Sequence, residues 1–473
     1  MFLNAKKHFY LLLILCIILL VLPLAIRAIF NNSFLLGEES YTNLRTAQYI
    51  KINNELPTED DYSYGGRPYT NEYGMPLLLA FNPALLSRII PLIFGILSFI
   101  LFYFIIEEIY PFVKGLASLF LIISPSFIYL FSTATKYSGA LLFTLFGIYL
   151  LVKDKKYYGL ISFIIVGFFS YLISLSFLIA FLIYGIYKNK WKEFYVLLIG
   201  NIIVFFIQFS RAIKLGFPET FFGFAEKNFN AILQILFSDF GSKAGFSIFL
   251  LFLALIGIFA VWHENYRYTL YYVILALSFI LSLYFSFLIY FIALFLAVFA
   301  AHGFVYLHTK EWKSDTFRYW TLLVFSCGLL FSTVAYINNI DDFIPTENFG
   351  EGLQFLRDQN IETTIFSHYT RSEYLSYGGM KTFIDDNFLY APNAKGRWED
   401  SNRLLKSEDI NNVIAIMNRY NIQYIWVDEQ MIDEVWRGDE IELLFLLRYS
   451  PNVFENVFDN GDVQIYKLRS QDA

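Results

Sequence analysis

The run KKHFYLLLILCIILLVLPLAIRAIF, Lys6 to Phe30, sets two lysines ahead of a long apolar stretch and passes into NNSFLLGEESYTNLRTAQYI, Asn31 to Ile50, with adjacent carboxylates at Glu38 and Glu39. A secretory signal has a shorter apolar region and a small-residue cleavage site. This run is longer and lacks such a site, so it reads as a retained first membrane span with its N-terminus inside.

The rest of the chain agrees with a membrane reading. Hydrophobic residues make up 57% of the 473, aromatics 20% and charged residues only 16%, which is far from soluble composition. A net charge of -6 without a basic stripe gives no footprint for nucleic acid. Cys16 and Cys327 both sit in apolar runs, where a thiol behaves as a small hydrophobe and neither a disulfide framework nor a thiolate metal site is expected.

A helical span needs about 17 to 25 predominantly apolar residues. Candidates fall near 8–28, 88–107, 114–131, 137–152, 191–210, 246–262, 268–284, 286–307 and 317–337. The segment Tyr157 to Tyr187 is too long for one span and too short for two. Lysines at 153, 155 and 156 precede it and at 188, 190 and 192 follow it. Both ends therefore belong on the cytoplasmic side, as a short hairpin breaking near Phe169 to Leu172. Counting it gives about ten to eleven transmembrane helices.

Alternation then puts the loop 31–75 and everything after 338 outside. That loop carries seven acids against Arg45, Lys51 and Arg67, as a non-cytoplasmic loop does. Residues 76–90, with Pro83 inside, either lie along the interface or prolong the following helix. The domain reading is a membrane part over 1–337 and a soluble α/β domain over 338–473 on the non-cytoplasmic face. In the tail, ENFGEGLQFLRDQ and SEDINNVIAIMNRY have helical apolar spacing, the second with Ser407 as cap. TTIFSHY, KTFID, IQYIWVD and DVQIYKL read as strands.

Three stretches in order resemble the C-type (GT-C) membrane glycosyltransferases, the group of the protein mannosyltransferases and aminoarabinose transferases. They are LLGEESYTNLRTAQYI, Leu35 to Ile50; YGMPLLLAFNPALLSRIIPLIFGILSFILFYFI from Tyr73; and SPSFIYLFSTATKYSGALLFTLFGIYLL from Ser124. FLIYFIALFLAVFAAHG, Phe287 to Gly303, is a fourth, weaker match. The resemblance spans about 8–307 and implies a polytopic all-α membrane fold. It also implies transfer of a sugar from a polyprenyl-phosphate-linked donor to a lipid, glycan or protein acceptor. Three departures stand out. The acidic pair is Glu-Glu where relatives have Asp-Glu, and Lys136 and Ser286 replace an acid and an arginine.

Such transfer needs positive charge for the phosphate leaving group and a base for the acceptor proton. Glu39 and Glu38 are the candidate bases. They lie about 100° apart on a helix, so one faces the acceptor and the other caps the helix; Glu39, braced by Tyr41, is the expected base. Candidate donor-phosphate or sugar ligands are Arg88, Arg211, Lys136, Arg67 and Tyr69. Glu39 and Glu72 are the acids that would hold a divalent cation, Mg or Mn, should one be used. Their spacing by itself specifies no metal.

His263, His302 and His308 read as cytoplasmic surface histidines, and Arg267 as an anchor. His368, Arg371, Asp385 and Asp386 read as exposed loop charge in the tail. The alternatives to a glycosyltransferase of this kind are an oligosaccharyltransferase-like enzyme, a scaffold that has lost its chemistry, or a transporter. The Trp-Trp-Asp-Tyr-Gly motif of oligosaccharyltransferases is absent. A transporter predicts ionisable residues at mid-span and repeated halves, whereas the predicted spans are almost free of such residues and no halves repeat. The donor and membrane lipid are the expected partners, and the sequence names no protein partner.

Overall fold

The computed structural model describes all residues except 1–4, 31, 33, 189–190, 210–232, 235, 265–268, 341–344, 360, 386, 389 and 470–473. The chain forms two compact units. Among the described residues, the first comprises those within 5–37, 72–208 and 233–340, and the second those within 38–71 and 345–469. The segment carrying the carboxylate pair thus packs with the tail.

The first unit is helical. Five of its described helices are long and apolar enough to cross a membrane: Lys7–Ile29, Pro83–Ile109, Trp191–Gln208, Leu288–Thr309 and Asp315–Asn338. Five shorter apolar helices accompany them, Lys136–Val152, Lys156–Phe169, Tyr171–Ile186, Ile248–Trp262 and Tyr272–Leu281. The stretch read as one span at 114–131 is two helices, Lys114–Ile122 and Pro125–Ser132, bent by 59°. Pro125 has no N–H to continue the ladder. The Ile123 carbonyl beside the break accepts the Thr333 hydroxyl at 2.7 Å, which satisfies that acceptor in the apolar interior.

Residues 76–90 divide at Pro83: a short helix Gly74–Leu79, then Pro83 as the first residue of the long helix Pro83–Ile109. Lys156–Phe169 and Tyr171–Lys188 fold back on one another at Ser170. Phe163 stacks on Phe177 at 4.4 Å, and the Ser174 hydroxyl donates to the Phe163 carbonyl at 3.0 Å. Gly74 lies against this bend, where a Cβ would come within 2.5 Å of the Phe168 carbonyl oxygen.

Helices Ile248–Glu264 and Leu288–Thr309 cross backbone to backbone. A Cβ on Gly257 would stand 1.8 Å from the Phe299 carbonyl oxygen, and one on Gly303 2.0 Å from that of Leu253. Small residues are what permit such an approach where no hydrophobic effect drives helices together.

The second unit holds a five-stranded mixed sheet. With β1 at Thr364–Phe366, β2 at Lys381–Thr382, β3 at Ile422–Asp428, β4 at Phe454–Asp459 and β5 at Val463–Leu468, the order is β2-β1-β3-β5-β4. The first three strands run parallel, while β5 pairs antiparallel with both β3 and β4. Edge strand β4, FENVFD, was not foreseen, because its charges and asparagine mask the alternation. The helix expected to be capped by Ser407 starts at Ile410, and Asp409 caps it by accepting from the Asn411 N–H.

Residues 38–71 join this unit through Tyr64, which is buried in its apolar core and donates its hydroxyl to the Asp385 carbonyl at 3.0 Å. Tyr41 likewise sets its ring edge-on to Tyr374 and Tyr377, at 4.8 and 5.2 Å.

Candidate functional site

Glu38 and Glu39 form the first turn of helix Glu38–Asn53, both half-buried. A carboxylate there meets the positive end of the helix dipole. Behind them the helix is buried along Ser40 to Leu44 and pinned by side chains of its own unit. The Thr42 hydroxyl bonds Glu373, and Arg45 grips Asp60 in two hydrogen bonds at 2.9 and 2.7 Å. Burial opposes the charge on Arg45, but Asp60 and Glu373 outweigh it and hold its pKa above the usual value. Tyr41, expected to brace Glu39, spends its ring on Tyr374 and Tyr377.

Glu38 interacts electrostatically with His368 and Arg371, which the sequence reading took for exposed loop charges. Both are instead drawn inside. Arg371 is 4% exposed and bonds Asp428 through Nε at 3.0 Å, while Asp428 also caps the helix Glu429–Trp436 and accepts the Trp426 indole N–H. His368 Nδ1 lies 2.8 Å from the Thr370 hydroxyl. Burial, then the Arg371 charge, brings its pKa down to about 4, so the ring is neutral at physiological pH. Asp428 and Glu434, partners of this cluster, were missed; an Asp closing an apolar strand before a helical run is a cap signal that would have found the first.

Arg67, a candidate sugar or phosphate ligand, is a buried brace. Its guanidinium lies 3.0 Å from Asp385 and over the Tyr64 ring, and also bonds the Asn387 carbonyl. Asp385, again read as exposed, is buried with it and takes the Ser63 hydroxyl; burial pushes its carboxyl up against the pull of Arg67. Tyr69 is buried and donates to the Thr46 hydroxyl at 3.3 Å. Both residues are turned inward because the loop carrying them is part of a packed unit.

In the helical unit, Lys136 is the first residue of helix Lys136–Val152, and its Nζ lies 2.9 Å from Glu72 Oε2. The other oxygen of Glu72 accepts the N–H of Tyr171 at 3.3 Å, at the start of Tyr171–Lys188. Glu72 thus serves a cation of its own chain and a helix N-terminus. That donor set does not suit a metal ligand, and among the described residues no three His, Cys, Asp or Glu gather as one. Arg88 stands exposed early in helix Pro83–Ile109. Arg211 and Arg267 lie outside the described residues, as does Asp386. His302 is half-buried and sets its ring against Tyr110 at 5.2 Å, so it is not a surface histidine; His308 is exposed.

No family model matches this chain, and no curated protein does. Solved structures do. The Archaeoglobus fulgidus oligosaccharyltransferase in its apo form superposes with a TM-score of 0.60 at 13% identity, over 98% of this chain and 75% of that one. The archaeal oligosaccharyltransferase AglB in complex with an inhibitory peptide and a dolichol-phosphate gives 0.57 at 13% identity, over 99% and 75%. ArnT from Cupriavidus metallidurans gives 0.52 at 11% identity, over 98% of both chains. The archaeal enzyme has also been solved with Zn and sulfate. At these identities the likeness is one of fold, and that fold is the GT-C architecture implied by the sequence resemblance.

Proposed function

We propose that this chain is an integral membrane glycosyltransferase. It moves a sugar from a polyprenyl-phosphate-linked donor to an acceptor on the non-cytoplasmic face of the plasma membrane, with the N-terminus inside and the tail outside. The observation that carries this reading is the fold match along nearly the whole chain to two membrane-enzyme structures, an oligosaccharyltransferase and ArnT. The dolichol-phosphate bound to one of them supports a lipid-linked donor here.

The acceptor hydroxyl or amide attacks the anomeric carbon as the phosphate leaves. Glu39 takes the acceptor proton, while Lys136 meets the charge developing on the phosphate. Glu38, tied electrostatically to His368 and Arg371, holds the start of its helix. Arg88, exposed on an apolar helix, is the second cation for the lipid phosphate. Glu72, already engaged by Lys136 and Tyr171, is not assigned to a divalent cation.

An oligosaccharyltransferase-like activity is the second reading, favoured by TM-scores of 0.60 and 0.57 against archaeal oligosaccharyltransferase and 0.52 against ArnT. It predicts a peptide acceptor. Purified protein incubated with labelled polyprenyl-phosphate sugars, with and without acceptor peptides, tests both. Transfer or donor hydrolysis that is lost in Glu39→Gln supports the assignment. No turnover or hydrolysis with any donor favours a scaffold.

A further inference from the structure

Glu72 is bound on both sides: Lys136 Nζ sits at 2.9 Å on one oxygen and the Tyr171 N–H at 3.3 Å on the other, and the Glu72 side chain is only 10% exposed. One residue before Lys136, the N-cap Thr135 keeps its hydroxyl buried with no hydrogen-bond partner among the described residues, and it does not cap its own helix. The cation assigned to the donor phosphate therefore stands beside a fixed negative charge and a spare donor.

The proposed reaction changes the charge at that cation. The bond from the anomeric carbon to the phosphate oxygen breaks, its electron pair leaving with the phosphate, while the acceptor bonds to that carbon and gives its proton to the base. A phosphodiester donor carries one negative charge; the phosphate monoester left behind approaches two, since its second pKa is near 6. We infer that Glu72 is the residue that sets the charge selectivity of the Lys136 site, favouring the singly charged diester donor over the doubly charged monoester product and so promoting product release. Lys136 supplies attraction for either, whereas the Glu72 carboxylate penalises the second charge most. The inference rests on Lys136 being the phosphate ligand proposed above.

The probes are geranylgeranyl phosphate and its methyl diester, titrated into the purified full-length protein in detergent at pH 8. Wild type should bind the diester at least as tightly as the monoester. Glu72→Gln keeps an acceptor for the Tyr171 N–H and should shift the ratio toward the monoester by about tenfold, within the usual range of coupling between two sites. Glu72→Asp should keep the wild-type ratio, and in a Lys136→Met background Glu72→Gln should leave it unchanged. Wild type alone gives a second readout, because at pH 5 the monoester is singly charged and its disadvantage should vanish. Binding of both probes with a ratio indifferent to Glu72→Gln and to pH overturns this inference alone. Failure of wild type to bind either probe overturns the proposed phosphate site itself.

Discussion

Arg67 Nη2 lies 3.0 Å from Asp385 Oδ2, with both side chains nearly removed from solvent although 318 residues separate them in sequence. This ion pair fastens the loop 38–71 within the sheet-containing unit. Breaking a buried pair from one side strands a charge and costs about 3 to 5 kcal/mol. Arg67→Met should therefore lower the thermal midpoint of the unit markedly, and Asp385→Asn somewhat less because the amide still accepts. Thermal denaturation of the purified variants checks this; an unchanged midpoint for Arg67→Met would return that arginine to the list of ligand candidates.

Of the two carboxylates, Glu39→Gln should cut turnover by about 10² to 10⁴, the usual worth of a general base, with donor affinity retained. Glu38→Gln should cost less and act partly through stability, since Glu38 faces His368 and Arg371. Kinetics with a radiolabelled donor separates the two, and equal losses in both variants would contradict the assignment.

Lys136→Met removes the cation proposed to meet the leaving phosphate. Turnover should fall by about 10² to 10³, the loss typical of deleting one preorganised electrostatic partner. Lys136→Arg should restore part of it, because the charge remains. Single-turnover measurements distinguish this from a folding defect.

His368 gives the sheet-containing unit a pH dependence. Its pKa is about 4 in the folded chain against an ordinary 6.5, so between those values the unfolded chain takes up a proton that the folded chain refuses. The stability contributed by keeping this ring neutral is complete above pH 6.5 and is lost as pH falls towards 4, by about 3 kcal/mol in all. His368→Gln should flatten that part of the stability profile, as read by denaturation at stepped pH.

At the crossing of helices Ile248–Glu264 and Leu288–Thr309, a side chain on Gly257 meets backbone rather than a movable neighbour. Gly257→Leu should force the helices apart at a cost of at least about 3 kcal/mol. Loss of the monodisperse peak in detergent size-exclusion chromatography, with Gly115→Leu unaffected, is the expected result. Gly115 has open space around its α-carbon.

The apolar helices, the helical class and the polar tail with most of its strands could be read from the residues in order. These follow from local hydropathy and periodicity, which are properties of contiguous residues. The bend at Ser124 and Pro125 was missed by that reading, which ran one span through 114–131, although proline acts on its own backbone and marks the break. Where the charges went depended on contacts between distant parts of the folded chain. His368 is half-buried and escapes the cost of desolvation by staying neutral. Arg371, Asp385 and Arg67 all read as surface or ligand-facing polar groups, and all three are buried, because each finds a partner far away in sequence that offsets its desolvation. The same holds for Glu72, whose job is set by Lys136 and by a helix N-terminus at Tyr171. A lone carboxylate in a sequence carries no mark of the cation that will neutralise it, since that pairing exists only once the chain has folded.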